Sequence, residues 1–290
     1  MKRLMAILIA LMIPAMCAAE TTAATDYAWK SIKEGVRTYD TETLKYTVDK
    51  GKIGKTLCYV TRVWMQEPGK QIKKATSKWK KNLALPSDMA KKVPGAALVI
   101  NGSGYVSKTY PEIPDNYPGK SPDYYYTPLG SVTVVDGEVL RNLEDVPFYG
   151  LTLQEDGLHL HVGEMPADVL AAEPTQTWSF YEKCPLIQNY ESIVDREWAW
   201  ANHRATRTII AKVDENNYVI LTATNNSGLT LLDATDFLLE NFAPEWAYNL
   251  DGGPSSALIC RSVGKKTMKI IFGGEKKDVD IMAFVELTEE

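Results

Sequence analysis

The feature that most constrains the fold is a series of short strand-like segments that end in turn residues. Segments rich in β-branched and aromatic residues, such as Thr56–Trp64, alternate along the chain with Gly, Asn and Pro clusters. Two pairs of these segments are separated by an Asp-Gly pair, at 136–137 and at 156–157, which is a strong signal for a β-hairpin. The sequence therefore predicts an α+β fold, a single domain with mixed β-sheets and a few packed helices.

Hydrophobic periodicity predicts most of the remaining elements. Strand-length apolar runs lie at 96–100, 207–213, 218–224, 247–250, 268–272 and 280–287. Leu and Ala recur at helical spacing over Leu229–Asn241, which predicts an amphipathic helix. Closely spaced lysines over residues 71–82 predict a second, basic helix with a solvated face, and an anion site is the alternative. Five prolines between Pro111 and Pro128 predict a long surface loop.

The start of the chain predicts export. A charged beginning, an apolar run at 4–13 and a series of small residues are typical of a secretory signal peptide, here 1–19. The run is too short to span a membrane, which takes about 20 apolar residues, and no later run is long enough. A lipid-modified Cys17 is the alternative. Residues 20–39 are then expected to be a leader and 40–290 the folded domain, secreted or held in the cell envelope.

Charge and cysteine content exclude some classes of function. The formal net charge of −5 disfavours binding to nucleic acids or anionic membranes, since both need basic patches. After removal of the signal peptide, Cys58, Cys184 and Cys260 remain, so at most one internal disulfide can form. No Cys or His spacing is typical of zinc, and the sequence predicts no metal and no cofactor. It does not determine the oligomeric state.

The strongest candidate site follows an apolar strand, where the chain reads NLDGGPSS over 249–256. Glycines at a strand end permit positive φ and a close approach of a ligand to the backbone. Exposed amides there could bind an anion or a sugar oxygen. Asp251 would be held at the mouth of the sheet as a catalytic carboxylate or as an acceptor of sugar hydroxyls. The alternative is a tight turn in which Asp251 caps the next segment.

Two further segments could complete such a site. A second apolar strand ends in Asn101, Gly102 and Ser103, so the two strand ends could meet, although an ordinary Asn-Gly turn is the alternative. Arg204 and Arg207 lie at the start of a third strand, and the planar guanidinium fork suits phosphate or carboxylate. A surface ion pair is the alternative for both arginines.

Residues 221–259 resemble the core of the phosphodiester glycosidase family, whose signature is a G-x-T-L helix start followed by a strand that ends in N-L-D-G-G-G-S-S. Here the two parts read GLTL at 228–231 and NLDGGPSS at 249–256. Weaker resemblances follow in family order, so that the likeness covers about 40–287. They are YVTRVWMQEP at 59–68, VINGSGY at 99–105, YGLTLQEDGLHL at 149–160, CPLIQNYE at 184–191 and RATRTIIAKVDENNYVILTA at 204–223.

The resemblance implies hydrolysis of a sugar-1-phosphodiester, with an N-acetylhexosamine-like sugar in a glycan or envelope polymer as the substrate. Asp251 would stabilise the cationic sugar or act as nucleophile or base, and Arg207 would neutralise the leaving phosphate. A second carboxylate is expected, and Glu182, Glu191 and Asp195 are the candidates among which the sequence does not select. The residues expected to contact the substrate are Asn101, Gly102, Ser103, Asn249, Gly252, Gly253, Ser255, Ser256 and Arg204.

Three positions depart from the family pattern. Pro254 replaces the third glycine of the signature and removes an amide donor, and Ser103 replaces a glycine. Residues 223–225 replace an Asp-Gly-Arg that often follows the arginine strand. Pro254 and Ser103 favour an alternative function, a non-catalytic extracellular protein that binds a sugar-phosphate polymer in the same cleft. An extracellular structural protein without a ligand is a third hypothesis.

Overall fold

The computed structural model describes residues 29–106 and 125–287. The predicted signal peptide and most of the Pro-rich loop lie outside the described residues. The strands, in chain order, are β1 (Trp29–Asp40), β2 (Leu44–Ile53), β3 (Thr56–Met65), β4 (Ile72–Thr76), β5 (Ala96–Asn101), β6 (Val132–Val135), β7 (Glu138–Asn142), β8 (Phe148–Gln154), β9 (Gly157–Glu164), β10 (Gln176–Ser179), β11 (Pro185–Gln188), β12 (Glu191–Ser192), β13 (Arg207–Lys212), β14 (Asn217–Ala223), β15 (Trp246–Asn249), β16 (Ala257–Arg261), β17 (Met268–Gly273) and β18 (Asp280–Val285). The helices are α1 (Pro68–Gln71), α2 (Pro86–Ala90), α3 (Pro166–Ala171) and α4 (Leu231–Phe242).

The strands form four sheets within the described ranges. The largest has eight strands in the order β1-β2-β3-β14-β13-β15-β11-β12, and the next has five, in the order β17-β16-β5-β18-β4. A three-stranded sheet (β10-β8-β9) and a two-stranded sheet (β6-β7) complete the set. The prediction of several sheets with a few helices is confirmed. Every pairing between described strands is antiparallel, so the sheets are not mixed in strand direction.

The central strands of the eight-stranded sheet, such as β13 and β15, are buried on both faces. Successive side chains of a strand point to opposite sides, so each of these strands contributes to two cores. On one face Ile210 packs in the same core as Leu98 and Phe284 of the five-stranded sheet. On the other face Ile209 packs in a second core with Leu238 of α4. The site described below lies where β5 of the smaller sheet and β15 of the larger one end.

Helix α4 covers the second core and matches the predicted helix over 229–241. Its start is fixed by Thr230, whose side chain accepts a hydrogen bond from Asp233 N at 2.9 Å. It ends at Ala243, which adopts the left-handed conformation with φ of 43°. Both predicted Asp-Gly hairpins are also present, as β6-β7 and β8-β9.

The predicted basic helix over 71–82 is wrong. Helix α1 is one turn long, and strand β4 then pairs with β18, with Ile72 opposite Phe284. Lys74, which the helix prediction placed on a solvated face, forms an ion pair with Asp280 at 2.8 Å, and both side chains are fully buried. The lysine spacing suggested a helix because it counted Lys74 among the exposed lysines.

The sheet also begins earlier in the chain than predicted. Strand β1 pairs with β2 and overlaps the stretch predicted as a leader, 20–39, from Trp29 onward. The three cysteines Cys58, Cys184 and Cys260 are buried and free. None of the helices in the described ranges is long and apolar enough to cross a membrane.

Candidate functional site

The two predicted strand ends meet, although they belong to different sheets. The Asn101 side chain donates from Nδ2 to the carbonyl of Asp251 at 2.7 Å and accepts from Ala257 N at 3.0 Å. In return, Asp251 N donates to the carbonyl of Gly102 at 3.1 Å. Asn101 is fully buried, so its amide group serves as a fixed connection between the segments. The structure thus brings Asn101, Gly102 and Asp251 to one place.

Arg207 lies beside the same segment. The carbonyls on either side of it, those of Thr206 and Thr208, accept hydrogen bonds from Gly253 N and Leu250 N, both at 2.9 Å. Strand β13 therefore runs alongside the turn that carries Asp251.

The guanidinium of Arg207 is held firmly. The residue is 1% exposed, its Nε donates to Leu229 O at 3.2 Å, and its Nη2 donates to His203 O at 2.7 Å. It also lies 5.2 Å from the ring centroid of Trp200, a cation–π distance. Burial lowers the pKa of Arg207 to about 10, so the group stays cationic at neutral pH.

Asp251 is half-buried at the end of its strand. Its Oδ1 accepts a hydrogen bond from Gly252 N at 2.8 Å. Burial raises the pKa of the Asp251 carboxyl, while the nearby Ser255 hydroxyl and the Lys276 ammonium lower it. Burial favours the protonated form of this carboxyl group, and the hydroxyl and ammonium groups favour its ionised form. A carboxyl group balanced in this way is suited to acid–base chemistry.

A second buried carboxyl group, that of Asp278, lies within electrostatic reach of Asp251. Asp278 is 1% exposed, no well-aligned hydrogen bond reaches either carboxyl oxygen from the described residues, and the Ser255 hydroxyl is the neighbour that favours its ionised form. Burial, and next the charge of Asp251, raise the pKa of Asp278 well above its ordinary value. Sequence reasoning missed this residue. The available signal was a pair of acids, Asp278 and Asp280, directly before the apolar run of β18.

Lysine supplies positive charge beside the two carboxyl groups. Lys276 Nζ donates to Ser255 Oγ at 3.1 Å and lies 5.0 Å from the ring centroid of Tyr105. Ser255 is fully buried in a single 3-10 turn, Gly253–Ser255. Its neighbour Ser256 has a buried hydroxyl with no partner among the described residues.

Three glycines of the site meet structural demands that other residues would not. A Cβ on Gly102 would collide with Oδ1 of Asp280. Gly253 has a φ of 58°, which side chains rarely adopt. A Cβ on Gly252 would lie 2.7 Å from Thr206 O, so the strand end and β13 are in direct backbone contact. Pro254 is exposed in the 3-10 turn that follows.

The remaining predicted residues lie around this centre in different surroundings. Ser103 N donates to Asp280 Oδ1 at 2.6 Å, and Ser103 Oγ accepts from Ser179 N at 3.2 Å. Asn249 is buried, with Nδ2 3.8 Å from Cys184 Sγ, and its Oδ1 has no partner among the described residues.

Arg204 is engaged at the start of α4. It donates from Nη1 to Gly228 O at 3.1 Å and from Nη2 to Asp233 Oδ2 at 3.3 Å. This is the ion pair that the sequence analysis gave as the alternative for Arg204.

The three acids proposed from sequence as the second carboxylate lie on the surface. Glu182, Glu191 and Asp195 are all exposed. Asp195 accepts a hydrogen bond from Lys183 Nζ at 2.6 Å. In the described part of the chain, no group of three or more His, Cys, Asp or Glu side chains is arranged to hold a metal ion.

Comparison with known proteins gives a consistent picture. The model of the family described as phosphodiester glycosidase matches residues 94–281. The fold is similar to the catalytic domain of zebrafish N-acetylglucosamine-1-phosphodiester alpha-N-acetylglucosaminidase, a structure described as auto-inhibited by its pro-peptide. The two share 14% identity with a TM-score of 0.61, over 90% of this chain and 89% of that one.

Two bacterial structures are also similar. A hypothetical protein from Synechocystis shares 14% identity over 86% of this chain and 64% of its own, with a TM-score of 0.53. A Burkholderia pseudomallei protein described as a candidate exported protein shares 11% identity over 81% of this chain and 74% of its own, with a TM-score of 0.50. No curated protein matches the chain in a sequence comparison.

Proposed function

The chain belongs to the phosphodiester glycosidase family, and from that premise we propose that it hydrolyses a sugar-1-phosphodiester outside the cytoplasm. The observation that carries the proposal is the hydrogen bond between Asn101 and Asp251, which joins two strand ends beside strand β13, the strand that begins with the buried Arg207. A carboxylate and a buried guanidinium carried by neighbouring segments of the backbone suit a reaction in which a cationic sugar and an anionic phosphate separate.

The bond to be broken joins the anomeric carbon to a phosphate oxygen. The leaving group, a phosphate monoester, is already acidic, so it needs charge neutralisation more than protonation. Arg207 can supply this, because its Nε and Nη2 are held by backbone carbonyls while Nη1 has no hydrogen bond to the described residues. Asp251 then faces the oxocarbenium-like sugar as a stabilising carboxylate, nucleophile or base.

The proposed substrate is an N-acetylhexosamine-like sugar linked through phosphate to a glycan or envelope polymer. The zebrafish relative is described as acting on an N-acetylglucosamine-1-phosphodiester, which supports this class of substrate. The predicted signal peptide and the relative described as a candidate exported protein support a secreted or envelope location.

One observation favours a second candidate function. Pro254 has no amide hydrogen and lies on the exposed turn next to Gly253, where a glycine would offer a further donor to an anion. A cleft with one donor fewer could bind a sugar-phosphate polymer without cleaving it.

Sugar release decides between the two functions. We expect the native protein to release free N-acetylglucosamine from UDP-N-acetylglucosamine or from a chromogenic N-acetylglucosamine-1-phosphodiester. Asp251→Asn keeps the shape and removes the charge, so turnover should fall at least about a hundredfold. The melting temperature should change little. Binding of a sugar-phosphate polymer in calorimetry, without release by the native protein, would instead establish the binder.

A further inference from the structure

The position of Asp278 is set by its backbone rather than by its side chain. Asp278 N donates to Ala84 O at 2.8 Å, and Ala84 N donates to Asp278 O at 3.1 Å. On the preceding residue, the carbonyl of Lys277 accepts a hydrogen bond from the Tyr105 hydroxyl at 3.2 Å. The backbone is thus fixed at Lys277 and Asp278 before the chain enters β18, and it places the Asp278 side chain in the interior, where the residue is 1% exposed.

The charges around Asp278 leave it poorly compensated. Among the described residues, the charged groups that act on it are the carboxylates of Asp251 and Asp280 and the ammonium of Lys276, and the Ser255 hydroxyl is its one neutral donor. Asp280 is already neutralised by its ion pair with Lys74. Lys276 donates to Ser255 and is shared between Asp251 and Asp278. One cation beside two carboxyl groups balances only one negative charge.

A buried carboxylate with a single shared hydroxyl as its donor is costly, and two neighbouring carboxyl groups do not readily ionise together. The neutral form of Asp278 removes both penalties, whereas Asp251 keeps the backbone amide of Gly252 as a donor to its ionised form. The more completely buried and less hydrogen-bonded member of the two therefore holds the proton.

We infer that Asp251 and Asp278 form a carboxyl pair that holds a single proton, and that this pair, rather than Asp251 alone, is the acid–base unit of the site. The inference rests on the proposed function. Asp278 is a positioning residue in this scheme, because it acts through Asp251 and keeps it ionised and basic. Exposed acids such as Glu182 and Glu191 are screened by water and lack this coupling.

The proton balance of the reaction follows from the pair. A water oxygen bonds to the anomeric carbon as the bond from that carbon to the phosphate oxygen breaks, and the electron pair of that bond goes to the phosphate. The proton lost by the water goes to Asp251, so that the pair briefly holds two protons. One proton leaves with the phosphate monoester, and the singly protonated pair is restored.

The pH dependence of turnover tests the inference through Asp278→Asn. In the native enzyme kcat/KM should fall at high pH, when the pair loses its one proton. In Asp278→Asn this high-pH decline should disappear, and turnover at the native optimum should fall about tenfold, less than for Asp251→Asn. Asp278→Glu should restore the decline. Asp88→Asn, an exposed carboxyl paired with Lys91, is the matched control and should behave as native.

A second measurement does not depend on activity. In carbon-13 spectra of protein labelled at aspartate carboxyl groups, one carboxyl should remain protonated at neutral pH. That signal should be missing in Asp278→Asn and should titrate at lower pH in Asp251→Asn, where the neighbouring charge is gone. A native pH profile in a folded Asp278→Asn, or no protonated carboxyl in the native protein, would overturn the inference. If the native protein releases no sugar, the proposed function and the acid–base role fail together, whatever the spectra show of the pair.

Discussion

Asp278 and Asp280 lie two residues apart where the chain enters β18, and both are buried. Asp280 has a partner for each carboxyl oxygen: its Oδ1 accepts a hydrogen bond from Ser103 N at 2.6 Å and its Oδ2 forms an ion pair with Lys74. Asp278 has no well-aligned hydrogen bond and no ion pair with the described residues, and among the neighbouring acids Asp251 of the site raises its pKa most. The same residue type at the same depth thus stabilises the sheet in one case and binds a proton in the other.

The difference follows from what lies opposite each carboxyl group. Strand β4 pairs with β18 and places Lys74 against Asp280, where the ammonium also donates to Thr177 O and lies 5.3 Å from the ring centroid of Trp178. No strand of the described residues places a cation against Asp278 in the same way. Burial alone therefore does not distinguish a carboxylate that stabilises the fold from one that takes part in acid–base chemistry. The groups that contact each carboxylate make the distinction.

The largest expected effect comes from removing the partner of Asp280. Lys74→Met leaves a buried carboxylate without its cation, which should lower the free energy of unfolding by about 3–5 kcal/mol. Lys73→Met, on the exposed side of the same strand, should change it by less than about 0.5 kcal/mol. Denaturant unfolding of both variants at neutral pH makes the comparison. Equal stability of the two variants would show that the Lys74–Asp280 pair does not hold the sheet.

A smaller effect of opposite sign is expected at Asp278. Because burial and the charge of Asp251 raise its pKa, the folded state binds the proton more tightly than the unfolded state does. The associated stability is present below the ordinary value of 3.8 and is lost as the pH rises towards the raised pKa. Asparagine does not ionise, so Asp278→Asn does not lose stability as the pH rises. At neutral pH the free energy of unfolding of this variant should exceed that of the native protein by on the order of 1–3 kcal/mol.

The stabilities of Asp278→Asn and the native protein should converge near pH 3, where Asp278 is protonated in both the folded and the unfolded state. Unfolding curves recorded from pH 3 to pH 8 measure this directly. If Asp278→Asn is less stable than the native protein at neutral pH, then Asp278 is held by favourable contacts, as Asp280 is. The proposed difference between the two aspartates would then be wrong.

Much of the fold and the centre of the site could be predicted because their signals are local. The Asp-Gly hairpins, helix α4 and strands β5, β13 and β15 each carry their pattern within a few residues. The glycines that follow Asn101 and Asp251 identified both strand ends, and the structure joins these ends by hydrogen bonds.

What could not be predicted depends on partners distant in the chain. Lys74 was assigned to a solvated helix because nothing near it in sequence shows that Asp280 of the last strand would neutralise it. The second carboxyl group was sought among Glu182, Glu191 and Asp195, close to the arginine strand, whereas Asp278 is brought to Asp251 by sheet pairing. The role of each acidic residue depends on its burial and on the charges around it, and both are set only when the chain folds.

The most direct test of the central claim is the fate of the water oxygen. The native protein should hydrolyse a sugar-1-phosphodiester in oxygen-18 water, and the phosphate monoester should be collected and analysed by mass spectrometry. Because the bond from the anomeric carbon to oxygen is broken, we expect no oxygen-18 in the phosphate and steady release of free sugar. Oxygen-18 in the phosphate, which marks attack at phosphorus, would contradict the account, and so would the absence of any hydrolysis.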